Sequence, residues 1–282
     1  MMKTYALKSD GVLKHYDYLW RLSADRWAWE YLRRNDDFLE DAETWSPDHV
    51  SDRIACNNTR IIKSRVPQNL AHRWGLAMMP DPRANGIDAD VIWQRDVFPD
   101  QFEVHVSPRA PDEVCDIFER TVPICKVTLF TDRQGREFLL LRGNGCVVQI
   151  RCSGLSLLSL EPVRMKLQLS DVDAYERQLK AYKEALAIYG PAPDTQEPLW
   201  SKRTQMLRDG LVALDCQALG FSRKEIARVL YGAEAVEEGW STGASNMKDS
   251  LRYLINKAEG LRDGGYLMEL LGAQLGPDRV AA

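Results

Sequence analysis

The sequence has no C-x-x-C pair and no cysteine–histidine pair at zinc-ligand spacing among its six cysteines and four histidines. The cysteines at 56, 115, 125, 146, 152 and 216 lie mostly in apolar contexts, where a free thiol behaves as a small hydrophobe. Six reduced thiols are therefore expected, not a zinc site or a disulfide framework. His15, His49, His72 and His105 are scattered, and none pairs visibly with a nucleophile. No apolar run reaches the roughly 18 residues that cross a bilayer. The start, Met1-Met2-Lys3-Thr4-Tyr5, also lacks the apolar centre of a signal peptide. A cytoplasmic protein without membrane contact is expected.

Strong charge of one sign is missing too. In 282 residues, 37 Lys and Arg stand against 41 Asp and Glu, a formal charge of −4. Overall charge cannot hold such a chain to nucleic acid, so any contact of that kind needs a local basic patch. Gly143-Asn144-Gly145 has neither phosphate-loop spacing nor a helix opening after it. Carboxylates are abundant, but no pair or triad has a catalytic setting. No catalytic residue, metal or cofactor is assigned, and the chain is read as a non-enzyme.

What is present is an ordinary globular composition, 45% hydrophobic and 28% charged. The length corresponds to about two domains. The first region is rich in tryptophan: Trp20, Trp27, Trp29, Trp45 and Trp74. Ser23 can cap a helix running through Asn35, with Ala24, Trp27, Ala28 and Tyr31 on one face. Trp29 and Leu32 point elsewhere, so the helix is expected to be packed on two sides. A partner protein could supply one of those contacts, because aromatic residues and Arg are enriched at interface cores. Trp27, Trp29, Arg33 and Arg34 are the candidate partner-binding residues. A second helix begins near Asp36, using Phe38, Leu39 and Ala42.

After Asp90 the period changes to two. Phe102, Val104 and Val106 alternate with polar residues, and Pro111-Asp112-Glu113 opens a short helix carrying Val114, Ile117 and Phe118. Strands follow at Ile124–Thr131, Glu137–Leu141, Cys146–Cys152 and Val163–Leu169, separated at hairpin spacings by turn residues. The last strand places Arg164 and Lys166 opposite its apolar side, so an antiparallel sheet with one wet face is expected. Ser170 and Asp173 then open a helix through Tyr189, and a Pro-rich stretch, Pro191 to Pro198, follows.

Beyond it, Leu207, Leu211, Leu214 and Ala218 mark a helix ending at Gly220. In Phe221-Ser222-Arg223-Lys224-Glu225-Ile226-Ala227-Arg228-Val229-Leu230-Tyr231-Gly232, Ser222 and Glu225 form a capping box. Such a string resembles the first helix of a helix-turn-helix pair. A longer connection than usual, Ala233 to Gly243, leads to a helix whose Met247, Leu251, Leu254, Ala258 and Leu261 form a buried stripe. Its opposite face centres on Asn256, with Asp249, Arg252 and Tyr253 beside it and Lys248 and Lys257 on the flanks. From Lys202 to Arg262, ten Lys and Arg face eight Asp and Glu, against the acidic balance of the whole. An α-helix fits the major groove, where Arg and Lys reach guanine and Asn bridges adenine. Amides at a helix N-terminus beside Arg223 and Lys224 can hold a phosphate. Arg223, Lys224, Lys248, Arg252, Asn256 and Lys257 are therefore the candidate DNA contacts.

The segments Arg26-Trp27-Ala28-Trp29-Glu30-Tyr31-Leu32-Arg33-Arg34-Asn35 and Arg73-Trp74-Gly75-Leu76, with the Phe221–Gly232 string and Gly264-Gly265-Tyr266, resemble FseA-type proteins. These are excision activators of proteobacterial integrative and conjugative elements, and related transcriptional-regulator-like proteins. The resemblance covers a third to a half of the chain, at both ends. It implies a C-terminal variant helix-turn-helix, activation of genes for excision or transfer, and RNA polymerase and an antiactivator protein as partners of a DNA-bound regulator. The expected fold is α+β: a helical Trp-rich domain at 1–80, a mainly antiparallel β region with a closing helix at 81–192, and a helix-turn-helix-like DNA-binding domain at 196–282. The competing reading is a protein-interaction module that does not itself bind DNA. Salt-dependent binding to promoter DNA separates the two.

Overall fold

A computed structural model describes residues 9–55, 57–110, 112–113, 125–169, 175–189, 198–241 and 245–273. The helix expected to carry Val114, Ile117 and Phe118, the Ser170/Asp173 pair and Pro191 to Glu197 lie outside the described residues. The architecture is α+β. Helices α1 (Ser9–Lys14), α2 (Ala24–Leu32) and α3 (Asp36–Thr44) open it, followed by strands β1 (Val50–Ile54) and β2 (Arg60–Ser64) and helix α4 (Asn69–Arg73). Then come β3 (Phe102–Pro108), β4 (Lys126–Thr131), β5 (Glu137–Gly143), β6 (Cys146–Gly154) and β7 (Val163–Leu167). Helices α5 (Tyr175–Ala185), α6 (Lys202–Ala218), α7 (Arg223–Tyr231), α8 (Ala233–Ser241), α9 (Ser245–Gly260) and α10 (Tyr266–Glu269) complete it.

The expected helix from Ser23 through Asn35 ends at Leu32, and the second helix begins at Asp36 as expected. Asn35 stops the first because its side-chain oxygen accepts the Phe38 N–H and so caps α3. Every residue of α2 from Asp25 to Leu32 is buried. The helix is covered on all sides, which explains why its apolar residues follow no single stripe.

The sheet is mixed, not antiparallel. Its order is β1-β2-β4-β5-β6-β3-β7, with β2 parallel to β4 and β3 parallel to β6. Strands β1 and β2, absent from the sequence reading, extend it into the tryptophan-rich third. The expected wet face is also confined to the outer strands, since Glu137 to Leu141 of β5 are all buried. One face packs Ile62, Phe130 and Phe138 against Ala77, Met78 and Ile92. The other packs Val104, Leu139, Leu141 and Ile150 against Ile188.

The N-terminal and C-terminal helices share a core. Trp27, Trp29, Tyr31 and Leu32 pack in one cluster with Leu207, Leu211 and Leu214 of α6, Ala258 of α9 and Tyr266 of α10. The Tyr31 hydroxyl donates to the Leu207 carbonyl at 2.8 Å. Gly210 makes this approach close: a Cβ there would stand 2.8 Å from the Tyr31 hydroxyl and 3.1 Å from the Ala258 Cβ.

Candidate nucleic-acid interface

The C-terminal helices are set by local chemistry first. Ser222 caps α7, accepting the Glu225 N–H while the Glu225 carboxylate accepts the Ser222 N–H, so the expected capping box is formed. Ile226, Ala227 and Val229 are buried with Val212, Ala213 and Cys216 of α6, and Phe221 packs on the same cluster. The connection read from Ala233 to Gly243 is largely helix α8, whose Val236 is fully buried. Leu251, Leu254, Ala258 and Leu261 are buried as the stripe requires, Ile255 joins them, and Met247 is half-buried.

At its end α9 turns sharply. Gly264 has φ +118, and a Cβ on Gly265 would lie 2.6 Å from the Gly260 carbonyl oxygen, so both positions need glycine. The Tyr266 hydroxyl then donates to the Trp74 carbonyl at 3.1 Å. The Gly-Gly-Tyr string thus returns the chain onto the N-terminal core and fixes α9 from its C-terminal end.

Burying that stripe leaves the opposite face of α9 in solvent. Lys248, Arg252 and Asn256 are exposed, as is Tyr253 at 65%. The Lys248 ammonium stands 5.3 Å from the centre of the Trp240 ring. Arg252 lies 3.1 Å from Asp249 one turn back, with both side chains mostly in solvent. A surface pair of this kind is worth well under about 1 kcal/mol, so Arg252 can exchange its partner readily. Lys257 is more confined and meets the Glu269 carboxylate of α10.

On α7, Arg223 is exposed and Lys224 is partly covered. Lys224 lies 3.2 Å from Glu237 of α8, which Arg228 also contacts. Bonds from Arg228 and Lys224 hold the Glu237 carboxyl below its ordinary range. The six candidates therefore form two groups. Lys248, Arg252, Asn256 and Arg223 are presented outward, while Lys224 and Lys257 are held by carboxylates the sequence did not associate with them.

The candidate partner residues are placed differently. Trp29 is completely buried, donating its indole N–H to the Ala84 carbonyl at 3.0 Å, and Trp27 is 2% exposed. Neither ring can present a surface, because the shared core encloses both. Arg33 and Arg34 belong to an ion network instead. Arg34 binds Asp215 of α6 through two nitrogens at 2.6 and 2.8 Å and reaches Glu30 at 2.8 Å. Arg33 meets Glu30 at 2.7 Å, and the Tyr16 hydroxyl donates to Asp215 at 2.6 Å. Asp215 thereby ties α2 to the first helix of the C-terminal bundle.

Burial alone would raise the carboxyls of Glu30 and Asp215. Arg33 and Arg34 outweigh it at Glu30, as Arg34 does at Asp215, and both are held below the ordinary range. Their contribution is thus complete above the unfolded value of about 4 and is lost as pH falls through the lower folded values. An acid titration followed by tryptophan fluorescence should show the packing of α2 holding until about pH 4. Asp215→Asn should weaken it at neutral pH. Loss of packing between pH 6 and 7 in the unchanged protein would count against this network.

Residues 169–271 match the family model described as T6SS, Transcription factor, DNA binding domain. Residues 13–77 match the model described as Proteobacterial transcriptional regulator-like domain. The chain is a DNA-binding transcriptional regulator. A comparison with curated proteins finds no match. Among the described residues no helix is long and apolar enough to cross a membrane.

Proposed function

We propose that α9 enters the major groove of operator DNA and that the bound protein activates genes for excision or transfer of a mobile element. The observation that carries the DNA half is the outward face of α9: Lys248, Arg252 and Asn256 are exposed on the side opposite a stripe buried against α6. Arg252 supplies the guanine-reading fork and Asn256 the adenine bridge. Lys248 and Lys257 line the groove walls, and Arg223 and Lys224 at the start of α7 hold phosphates. Lys224 and Lys257 would exchange Glu237 and Glu269 for phosphate, which makes their net gain smaller than that of Arg223 or Arg252.

The mobile-element half rests on the resemblance to FseA-type activators. RNA polymerase, with an antiactivator as silencing partner, belongs to the same reading, and any surface they use excludes the buried rings of Trp27 and Trp29. A T6SS promoter is the second reading of the target, favoured by the description of the matched DNA-binding domain. Sequencing the DNA recovered with the full chain from cells, together with reporter transcription from the recovered sites, tests both. Sites upstream of excision or transfer genes and a rising reporter are expected. Sites confined to T6SS promoters would replace the target, and a falling reporter would reverse the direction of regulation.

A further inference from the structure

Three of the cations placed at DNA are partnered by carboxylates, and the partners differ in position. Glu237 and Glu269, which hold Lys224 and Lys257, stand on the neighbouring helices α8 and α10. Asp249, which holds Arg252 at 3.1 Å, stands on α9 itself. It precedes Asn256 by about two helical turns, so its carboxylate lies on the line of the helix that also carries Asn256. Asp249 and Arg252 keep 57% and 63% of their side chains in solvent, so the pair does not build the core. With α9 in the groove, a negative charge sits in the middle of the surface offered to a polyanion.

A carboxylate so placed weakens binding to every sequence, because it faces phosphates without making a contact to them. It is compensated only where a donor meets it. In the major groove that donor is the N4 amino group of cytosine, for which a carboxylate is the matching acceptor. The adenine amino group stands beside the N7 acceptor, which repels a carboxylate. Arg252 supplies the second condition. Its fork carries five N–H donors in one plane, so guanine O6 and N7 can take two and leave others for Asp249. Three residues of helix rise about 4.5 Å, close to the roughly 3.4 Å between successive base pairs. Asp249 can therefore reach the adjoining pair while it still holds the guanidinium.

We infer that Asp249 determines specificity: it steadies the Arg252 fork on guanine and accepts the N4 amino group of a cytosine in the adjoining base pair. This rests on α9 as the reading helix. Where guanine and cytosine are in place, both contacts of the carboxylate are made. At any other site the same charge faces acceptors and phosphates, and binding is penalised. In solvent the pair with Arg252 is worth little, but between protein and DNA, with less water around it, the same contact is stronger. An aspartate near the start of α9 also suits the helix dipole. That role alone would alter stability and leave base preference untouched.

Competition binding of the full chain measures this with an operator fragment, the same fragment with each base pair changed in turn, and unrelated DNA of equal length. In the unchanged protein one G·C pair and its neighbour should carry penalties of about five- to 150-fold. Asp249→Ala should bind unrelated DNA several-fold more tightly, lose the penalty at the neighbouring pair and shrink that at the guanine. Arg252→Ala should remove the guanine penalty, and adding Asp249→Ala should change it no further, since the two act through one contact. Circular dichroism checks each fold. If Asp249→Ala fails to fold, the uncharged Asp249→Asn decides, through a fall in the ratio of operator to unrelated affinity. Unchanged penalties in folded Asp249→Ala, or equal tightening on operator and unrelated DNA, would overturn the inference. If Arg252→Ala also keeps every penalty, α9 is not the reading helix and both statements fall together. A guanine penalty lost in Arg252→Ala but kept in full by Asp249→Ala confines the failure to Asp249.

Discussion

Trp29→Ala should destabilise the protein by about 3–5 kcal/mol, the usual cost of truncating a fully enclosed tryptophan. The ring has no exposed surface, packs edge-on against Phe38 with centroids 5.6 Å apart, and loses its bond to the Ala84 carbonyl on truncation. A loss of this size is a large fraction of the roughly 5–15 kcal/mol that holds a typical domain folded. Because the cluster around Trp29 includes Leu207, Leu211 and Ala258, the damage should reach the DNA-binding helices as well. Chemical denaturation followed by far-ultraviolet circular dichroism measures it through the shift of the midpoint. A variant with an unchanged midpoint and lost transcription alone would return Trp29 to a partner surface.

That burial was only partly legible in the sequence. The helical period puts Trp29 off the Trp27–Tyr31 face, so a second contact is required, and the following helix at 36–45 or the sheet is the expected one. The contacts are Phe38 of α3, the helix next in sequence, and the Ala84 carbonyl, and the second of these leaves no local trace. Strands β1 and β2 escaped for a related reason. Along β1, Ser51 to Ile54 stay largely in contact with solvent, and in β2 the adjacent Ile61 and Ile62 are both buried. Neither strand alternates. The parallel pairings were hidden as well, because hairpin spacing reports only on neighbours in sequence.

The C-terminal site was more legible. A capping box is written in four residues, and the α9 stripe in regular steps of three and four, so Ser222, Glu225 and the Leu251–Leu261 side emerge directly. The electrostatic partners did not. Glu237 holds Lys224 and Arg228 only because residues 233–241 form a helix packed beside α7, where the sequence reading had a connection. Glu269 meets Lys257 only because the chain folds back at Gly264.

Replacing Lys248 and Arg252 together by alanine should remove specific DNA binding and leave the fold intact. Both side chains are exposed, and alanine is the best helix former, so the α9 stripe has no reason to change. A bidentate guanine contact by Arg252 is worth about 1–3 kcal/mol, roughly a five- to 150-fold loss of affinity. A groove-wall phosphate contact by Lys248 adds to that and carries its own salt dependence. The exposed Asp249–Arg252 pair offsets little, since it is broken at small cost.

The most direct test of α9 as the DNA-reading element is a salt titration of binding to an operator fragment, with the unchanged protein beside the Lys248→Ala/Arg252→Ala variant. For the unchanged protein, the logarithm of the binding constant should fall linearly with the logarithm of salt concentration. The variant should bind more weakly, with a slope shallower by about one for each phosphate contact removed. A folded variant with the affinity and slope of the unchanged protein would take α9 out of the DNA interface.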